Sequence, residues 1–298
     1  MEQNYNSGAS SHSSVNARGF SFLKSKIKLL FALFFIFIGF TNNLYSQIAQ
    51  RGSFTSATST NATITINRTA GVVVGDIMLV NISSRDTGGN NLSNPTSAGW
   101  TLVQGSQITQ ARRWGAVLYK IATGAEPANY TFTLDADANA NVGAIVAFSG
   151  VDTTTPFDVA SPAYNTANAL TTVTATGLTT VTPNAAVIMF GVASSNPTWS
   201  GWTTTNPGGL TELYDVAQTT NVTAGAAWAL KPTAGATGNA TATLTSGQRN
   251  GAILVALRPY IPPPANDICS GALLLTSNTT CTTTTGSTTG ATDNNETG

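Results

Sequence analysis

The segment Tyr130-Thr-Phe-Thr-Leu134 alternates apolar and hydroxyl side chains without a break, and it limits the chain's possible folds more than any other stretch. A period of two puts Tyr130, Phe132 and Leu134 on one face of an extended strand, with Thr131 and Thr133 on the other. Apolar runs flank it at Trp114–Ala122 and Val142–Ser149, across a gap holding Gly124 and Pro127 and across the polar run Asp135–Asn141. The stretch reads as a β-meander.

The same grammar extends along the chain. Short strands are expected at Ala62–Asn67, Gly75–Ile82, Trp100–Gln104, Trp114–Ala122, Asn129–Leu134 and Val142–Ser149. A second set follows at Leu170–Thr176, Ala185–Ala193, Leu210–Val216, Gly225–Leu230, Asn239–Thr245 and Gly251–Arg258. Clusters of Gly, Pro, Asn and Thr punctuate them. No segment sustains a 3.6-residue period, so helices should be rare.

The two sets of strands align. At an offset of 111, Met78 falls on Met189, Ser83-Ser84 on Ser194-Ser195 and Lys120 on Lys231. Strand registering on strand points to an internal duplication spanning 62–149 and 170–258. In the second copy Ala240 and Ala242 stand where Tyr130 and Phe132 stand in the first. Two architectures fit, one sandwich shared by both halves or two small sandwiches in tandem. A second half this poor in large side chains would struggle to fill a core alone, which favours the shared sandwich. The expected fold is all-β, an antiparallel two-sheet sandwich of about twelve strands, after a helical signal peptide.

The N-terminus carries Lys24, Lys26 and Lys28, then a 12-residue apolar core, Leu29–Phe40, then a polar stretch ending Leu44-Tyr45-Ser46. That is the layout of a secretory signal peptide over 1–46, with cleavage expected after Ser46. The apolar core is shorter than the ~20 residues that span a bilayer, so no membrane attachment is expected after cleavage. No cysteine stands directly after the core at the expected cleavage site, which argues against a lipid anchor. A module over 47–259 follows, then a Pro-rich connector at 260–264. Residues 265–298 read as the opening of a further module, and a longer protein is expected to continue past Gly298. In an exported chain Cys269 and Cys281 are expected to pair as a disulfide.

From Gln47 onward 9 basic and 12 acidic residues remain, a formal balance of −3. A nucleic-acid binder needs a basic surface, so that class is set aside, and Arg112-Arg113 alone is too little for a polyanion stripe. The only histidine, His12, lies in the leader. The mature chain therefore lacks the imidazole of serine or cysteine triads and of histidine-ligated metal sites.

The sequence Gly75-Asp76-Ile-Met-Leu, then Gly99-Trp100-Thr, Leu118-Tyr119-Lys120 and Glu126-Pro-Ala-Asn-Tyr130-Thr-Phe-Thr resembles a jelly-roll-like β-sandwich module of large exported bacterial proteins. Phe148-Ser-Gly-Val-Asp152 and Pro156-Phe-Asp158 continue the likeness, which covers roughly 48–259. Residues 264–269 with Thr288–Thr292 resemble the start of another sandwich module, of a kind found in surface proteins of bacteria with a type IX-like secretion route. The resemblance implies adhesion, glycan binding or the spacing of catalytic domains, with extracellular glycans or surface polymers as partners.

Three constellations bear on chemistry. In Asp135-Ala-Asp137-Ala-Asn139-Ala-Asn141 an oxygen-bearing side chain recurs at every second position, a spacing that suits Ca²⁺ with Asp135, Asp137 and Asn139 as ligands. The competing reading is a polar hairpin loop. Trp199-Ser-Gly-Trp202 places two indoles in a Gly-containing loop, a candidate platform for sugar rings, set against Trp as a plug at the end of the core. Asp76, Glu126, Asp152, Asp158, Glu212 and Asp215 include no spacing that selects a glycosidase pair, so no catalytic residue is assigned. Asp152-Thr-Thr154 resembles a short bacterial O-glycosylation acceptor.

Overall fold

The computed structural model describes residues 47–109, 112–219 and 221–263. The expected signal peptide over 1–46, Pro264 and the expected Cys269–Cys281 disulfide lie outside the described residues. Sixteen strands run in chain order. They are β1 Ala49–Gln50, β2 Thr55–Ser59, β3 Thr63–Asn67, β4 Ile77–Arg85, β5 Thr101–Gln107, β6 Arg113–Ile121, β7 Asn129–Thr133 and β8 Ala140–Ser149. The second half holds β9 Asn165–Ala175, β10 Thr179–Thr180, β11 Ala185–Ser194, β12 Trp199–Thr203, β13 Thr211–Gln218, β14 Val222–Lys231, β15 Gly235–Ala236 and β16 Ala240–Leu257. Among the described residues there is no helix.

Two six-stranded antiparallel sheets carry the fold. In one the order is β1-β8-β4-β6-β5 with β2 also on β8, and in the other β12-β16-β11-β14-β13 with β9 also on β16. The matching orders β8-β4-β6-β5 and β16-β11-β14-β13 are the duplication expressed in hydrogen bonds. Even the irregularities repeat, since β5 bulges between Leu102 and Gln104 and β13 between Glu212 and Tyr214.

Those bulges also correct the alignment. Met78 lies opposite Lys120, whereas Met189 lies opposite Ala227, so the two pairs cannot both be equivalent at one offset. Superposing the bulges sets Met78 on Val187 and Lys120 on Ala229. The slip is two residues, one full period of a strand, and so every side chain kept its expected face.

The layers explain the hydrophobic patterns. The two large sheets pack face to face around a central core that includes Ile77, Leu79, Val117, Val146 and Phe148 from the first repeat and Ile188, Phe190, Ala226, Ile253 and Val255 from the second. Each sheet is then covered on its outer face. In the first repeat β3 pairs with β7, setting Ile64 opposite Phe132 and Ile66 opposite Tyr130, over Met78, Val80 and Leu118. In the second, β9 pairs with the first half of β16, setting Val173 opposite Ala242, over Val187 and Met189. Strands β4, β8 and β11 are covered on both faces and read as continuous apolar runs. Strands β3 and β7 have one wet face and alternate strictly. The opening motif is thus an outer-layer strand and not the middle of the expected β-meander, since β7 pairs with β3 and with neither β6 nor β8; the two halves share the central core and each has a small core of its own.

Five strands were not foreseen. β2 is Thr-Ser-Ala-Thr-Ser, half-exposed and almost without apolar signal, and β1, β10 and β15 are two residues each. The fifth, β12, takes in what read as a loop. The expected strands at 239–245 and 251–258 are one, β16, which leaves the outer layer near Thr243 and enters the inner sheet near Asn250 through register shifts. The first repeat makes the same passage through the loop between β7 and β8.

The equivalent strands β4 and β11 run in the same direction, and both finish at the upper end of the sandwich. Upper residues meet in a closely packed seam lined by Ser83, Ile108, Arg113, Val192, Ala193 and Val222. Lower residues meet where Tyr119 packs edge-on to Phe157 and Phe148 to Trp228. Strand β8 faces β13 and β14, and β6 faces β11. The repeats are therefore related by a twofold-like rotation about an axis along the strands.

Candidate functional site

Trp199 and Trp202 lie in the core. They are 4% and 6% exposed, and their rings stack with centroids 5.2 Å apart and planes 13° from parallel. Residues three apart on a regular strand face opposite sides. Here the register shifts between Ser200 and Thr203, and Gly201 takes φ +63°, so both indoles turn inward. Trp199 Nε1 donates to Thr223 Oγ1 at 3.2 Å and Trp202 Nε1 to Glu212 at 2.8 Å. A Cβ on Gly191 would come within 2.6 Å of Trp199, and one on Gly225 within 2.9 Å. These rings fill the volume that Ala240 and Ala242 leave where the first repeat has Tyr130 and Phe132. A sugar platform on this pair is corrected accordingly, because protein already covers the ring faces.

The Asp135 loop is a hydrogen-bonded turn. Asp135 accepts from Ser93 Oγ at 2.7 Å and from the Asp137 amide at 3.1 Å, and Asn139 Oδ1 accepts from the Thr87 amide. Asn139 Nδ2 donates to Asp86, whose carboxylate also takes the amides of Gly88, Gly89 and Asn90. Those donors hold the Asp86 carboxyl below its ordinary value, the Asn90 and Gly88 amides most of all. Among the described residues no three Asp, Glu, His or Cys side chains gather to hold a metal. The loop is polar and closed by its own hydrogen bonds, but it is not the expected hairpin: β7 pairs with β3 and β8 with β4, so it carries the chain from the outer layer to the inner sheet.

The other acids are also engaged. Asp76 takes a two-pronged bond from Arg51, at 2.9 and 3.0 Å. Asp158 accepts the Val181 amide and lies 3.7 Å from Arg258 Nε. Asp152 caps the turn at Thr154 and Thr155, and Asp215 accepts the Trp199 amide. Glu126 lies 3.5 Å from Lys120 and accepts from Thr123 and Tyr130. Burial pushes its carboxyl up, but the Tyr130 and Thr123 bonds and the Lys120 charge together bring it below the usual range.

The upper mouth of the central core differs. Odd positions Ile77, Leu79, Asn81 and Ser83 of β4 face the opposing sheet, and Arg85 ends that series. Arg113 begins the same series on β6, ahead of Gly115 and Val117. Arg249 begins it on the inner half of β16, ahead of Gly251 and Ile253. Arg85 and Arg113 stand directly opposite one another across β4 and β6. Exposed Arg112 adjoins them. Among the described residues the ion pairs involve Arg51, Lys120 and Arg258, and none involves these four arginines. Arg85 is tied to Asn221 Oδ1 at 3.0 Å, and Asn221 in turn to Gln218 at 3.1 Å. The shielded Nε atoms of Arg85, Arg113 and Arg249 have no acceptor among the described residues. Burial, then repulsion from Arg85, Arg249 and Arg112, pushes Arg113 down to about 10. Thr109, Arg112, Ser195 and Thr219, in the surrounding turns, all have positive φ. Such strained residues concentrate where function fixes the backbone.

The sequence reading noted Arg112-Arg113 but not this convergence. A signal was present, since Arg85, Arg113 and Arg249 each sit on the inward parity at the upper end of an apolar strand. A second feature, at the lower end, is a cleft of about 480 Å³ with the Arg51–Asp76 pair in its wall and the exposed Val73, Val74 and Tyr260 at its rim. Its charge is internally neutralised.

Comparison of the chain with family models, with curated proteins and with solved structures gave no match.

Proposed function

We propose that this chain is a non-catalytic β-sandwich module of an exported or cell-surface bacterial protein, and that it attaches the protein to an extracellular polymer. The observation that carries the reading is the division of its charges. Eight of the nine described acidic side chains are held in ion pairs, turns or indole bonds, while four arginines, Arg112 exposed and the others half-buried, converge without a described counter-ion on one end of the sandwich. Acid–base catalysis requires carboxylates free to exchange protons beside a substrate. Attachment requires only a fixed, complementary surface. The leader pattern over 1–46 supports export.

The alternative of a carbohydrate-binding module tethered to a secreted enzyme no longer has Trp199 and Trp202 to rest on, and polymer recognition must use another surface. The test is retention of the purified chain on a panel of immobilised polysaccharides, with release of reducing ends measured alongside. Retention without hydrolysis is expected. Hydrolysis abolished by replacing an acidic residue would overturn the non-catalytic reading.

A further inference from the structure

We propose that the upper mouth of the sandwich binds the carboxylate or sulfate groups of an acidic polysaccharide, with Arg85, Arg113 and Arg249 as the clamp and Arg112 at its outer lip. The inference rests on the attachment reading above and names its site and ligand class.

Two arginines opposed across neighbouring strands repel one another, and like charges in that position destabilise a sheet. In a chain with only 9% charged residues, adding a third cation from the facing sheet makes the arrangement more costly still. A bound oxyanion reverses the sign of that interaction. The planar guanidinium fork matches carboxylate and sulfate oxygens, and no carboxylate among the described residues pairs with any of the four arginines. Ile108, Val192 and Val222 form low-dielectric walls beside Arg113, which strengthens its field. The Asn221 bond holds Arg85 in position before any ligand arrives.

The rim selects the class of polymer. It offers the half-exposed Ser195 and Asn221, whose hydroxyl and amide suit a hydroxyl-rich chain, and among the described residues it has no exposed aromatic to anchor a protein partner. Nucleic acid would need an extended basic track, and apart from these four arginines the described residues carry nine acidic and only five basic side chains.

The experiment measures retardation of the full chain by alginate, dextran sulfate and neutral dextran at low salt. Arg113→Gln and Arg249→Gln are compared with Arg68→Gln, which lies away from the mouth. Alginate or dextran sulfate should retard the wild type, and the polymer that does so identifies carboxylate or sulfate as the source. Each mouth variant should weaken binding about tenfold, and Arg68→Gln should not. As a second readout, the binding polymer should raise the melting temperature of the wild type by more than that of Arg113→Gln. Equal binding or equal thermal shifts in wild type and mouth variants would overturn the site while leaving attachment standing. Binding of inorganic sulfate without either polymer would overturn the polymer class. No retention on any polysaccharide would remove the attachment reading as well.

Discussion

Trp199 stacks on Trp202 in the repeat whose outer strand carries Ala240 and Ala242, so one stacked pair replaces the aromatic packing of Trp100 against Tyr130 and Phe132 in the other repeat. Trp199→Ala should lower stability by about 3–5 kcal/mol, as other large-to-small core changes do. Phe132→Ala should cost a similar amount. Denaturant unfolding measures both, and a change below about 1 kcal/mol for Trp199 would remove it from the core.

Gly191 and Gly225 leave room for those indoles. Gly191→Ala should destabilise by about 1–3 kcal/mol through overpacking. Pairing it with Trp199→Phe should recover part of the loss. A double-mutant cycle with no coupling would show that the contact does not govern the site.

The opposition of Arg85 and Arg113 has a consequence for stability that needs no ligand. Arg113→Gln should raise the melting temperature, by the equivalent of about 0.2–1 kcal/mol. Added salt should stabilise the wild type more than the variant, because screening weakens the same repulsion. Thermal melts at two ionic strengths check this, and a lower melting temperature in the variant would contradict it.

Acid should loosen the upper loops and the lower ion pairs together. The carboxyls of Asp86, Glu126, Asp135 and Asp152 are all held below their ordinary values in the folded chain. In each case the unfolded chain takes up its proton first as pH falls. Their contribution is therefore complete above the ordinary carboxylate range near pH 4 and declines as pH drops through the lower folded values. Chemical denaturation between pH 6 and pH 2 should show that decline, and Asp86→Asn should make it shallower.

Millimolar Ca²⁺ should leave the melting temperature unchanged, since the Asp135 and Asn139 oxygens already accept hydrogen bonds within the loop. A rise that EDTA reverses would restore the calcium site.

Much of this fold can be read from residue order. The alternation around Tyr130 marks a strand with one wet face, and the unbroken apolar runs of β4, β8 and β11 mark strands covered twice. The replacement of Tyr130 and Phe132 by Ala240 and Ala242 was visible as well, but not what filled the space. That depended on a bulge at Gly201, which reverses the face of one indole and has no periodic signature. Thr55–Ser59 was illegible for a simpler reason, because a half-exposed edge strand of small polar residues differs little from a loop. The arginine mouth is legible only one strand at a time. Arg249 meets Arg85 and Arg113 only because two sheets distant in sequence face each other, and no local pattern encodes that meeting.

The twofold-like relation of the repeats places the mouth on its axis, where a true dimer of identical chains would have to present every side chain twice. The covalent join lifts that constraint. Ser194 and Val222 occupy the places that mirror Arg85 and Arg113, and Ala140 the place that mirrors Arg249. A symmetric ancestor with this set would have crowded six guanidinium groups around one axis instead of three. Because both copies lie in one chain, their sequences differ at these places, and this end of the sandwich carries three such guanidinium groups instead of six.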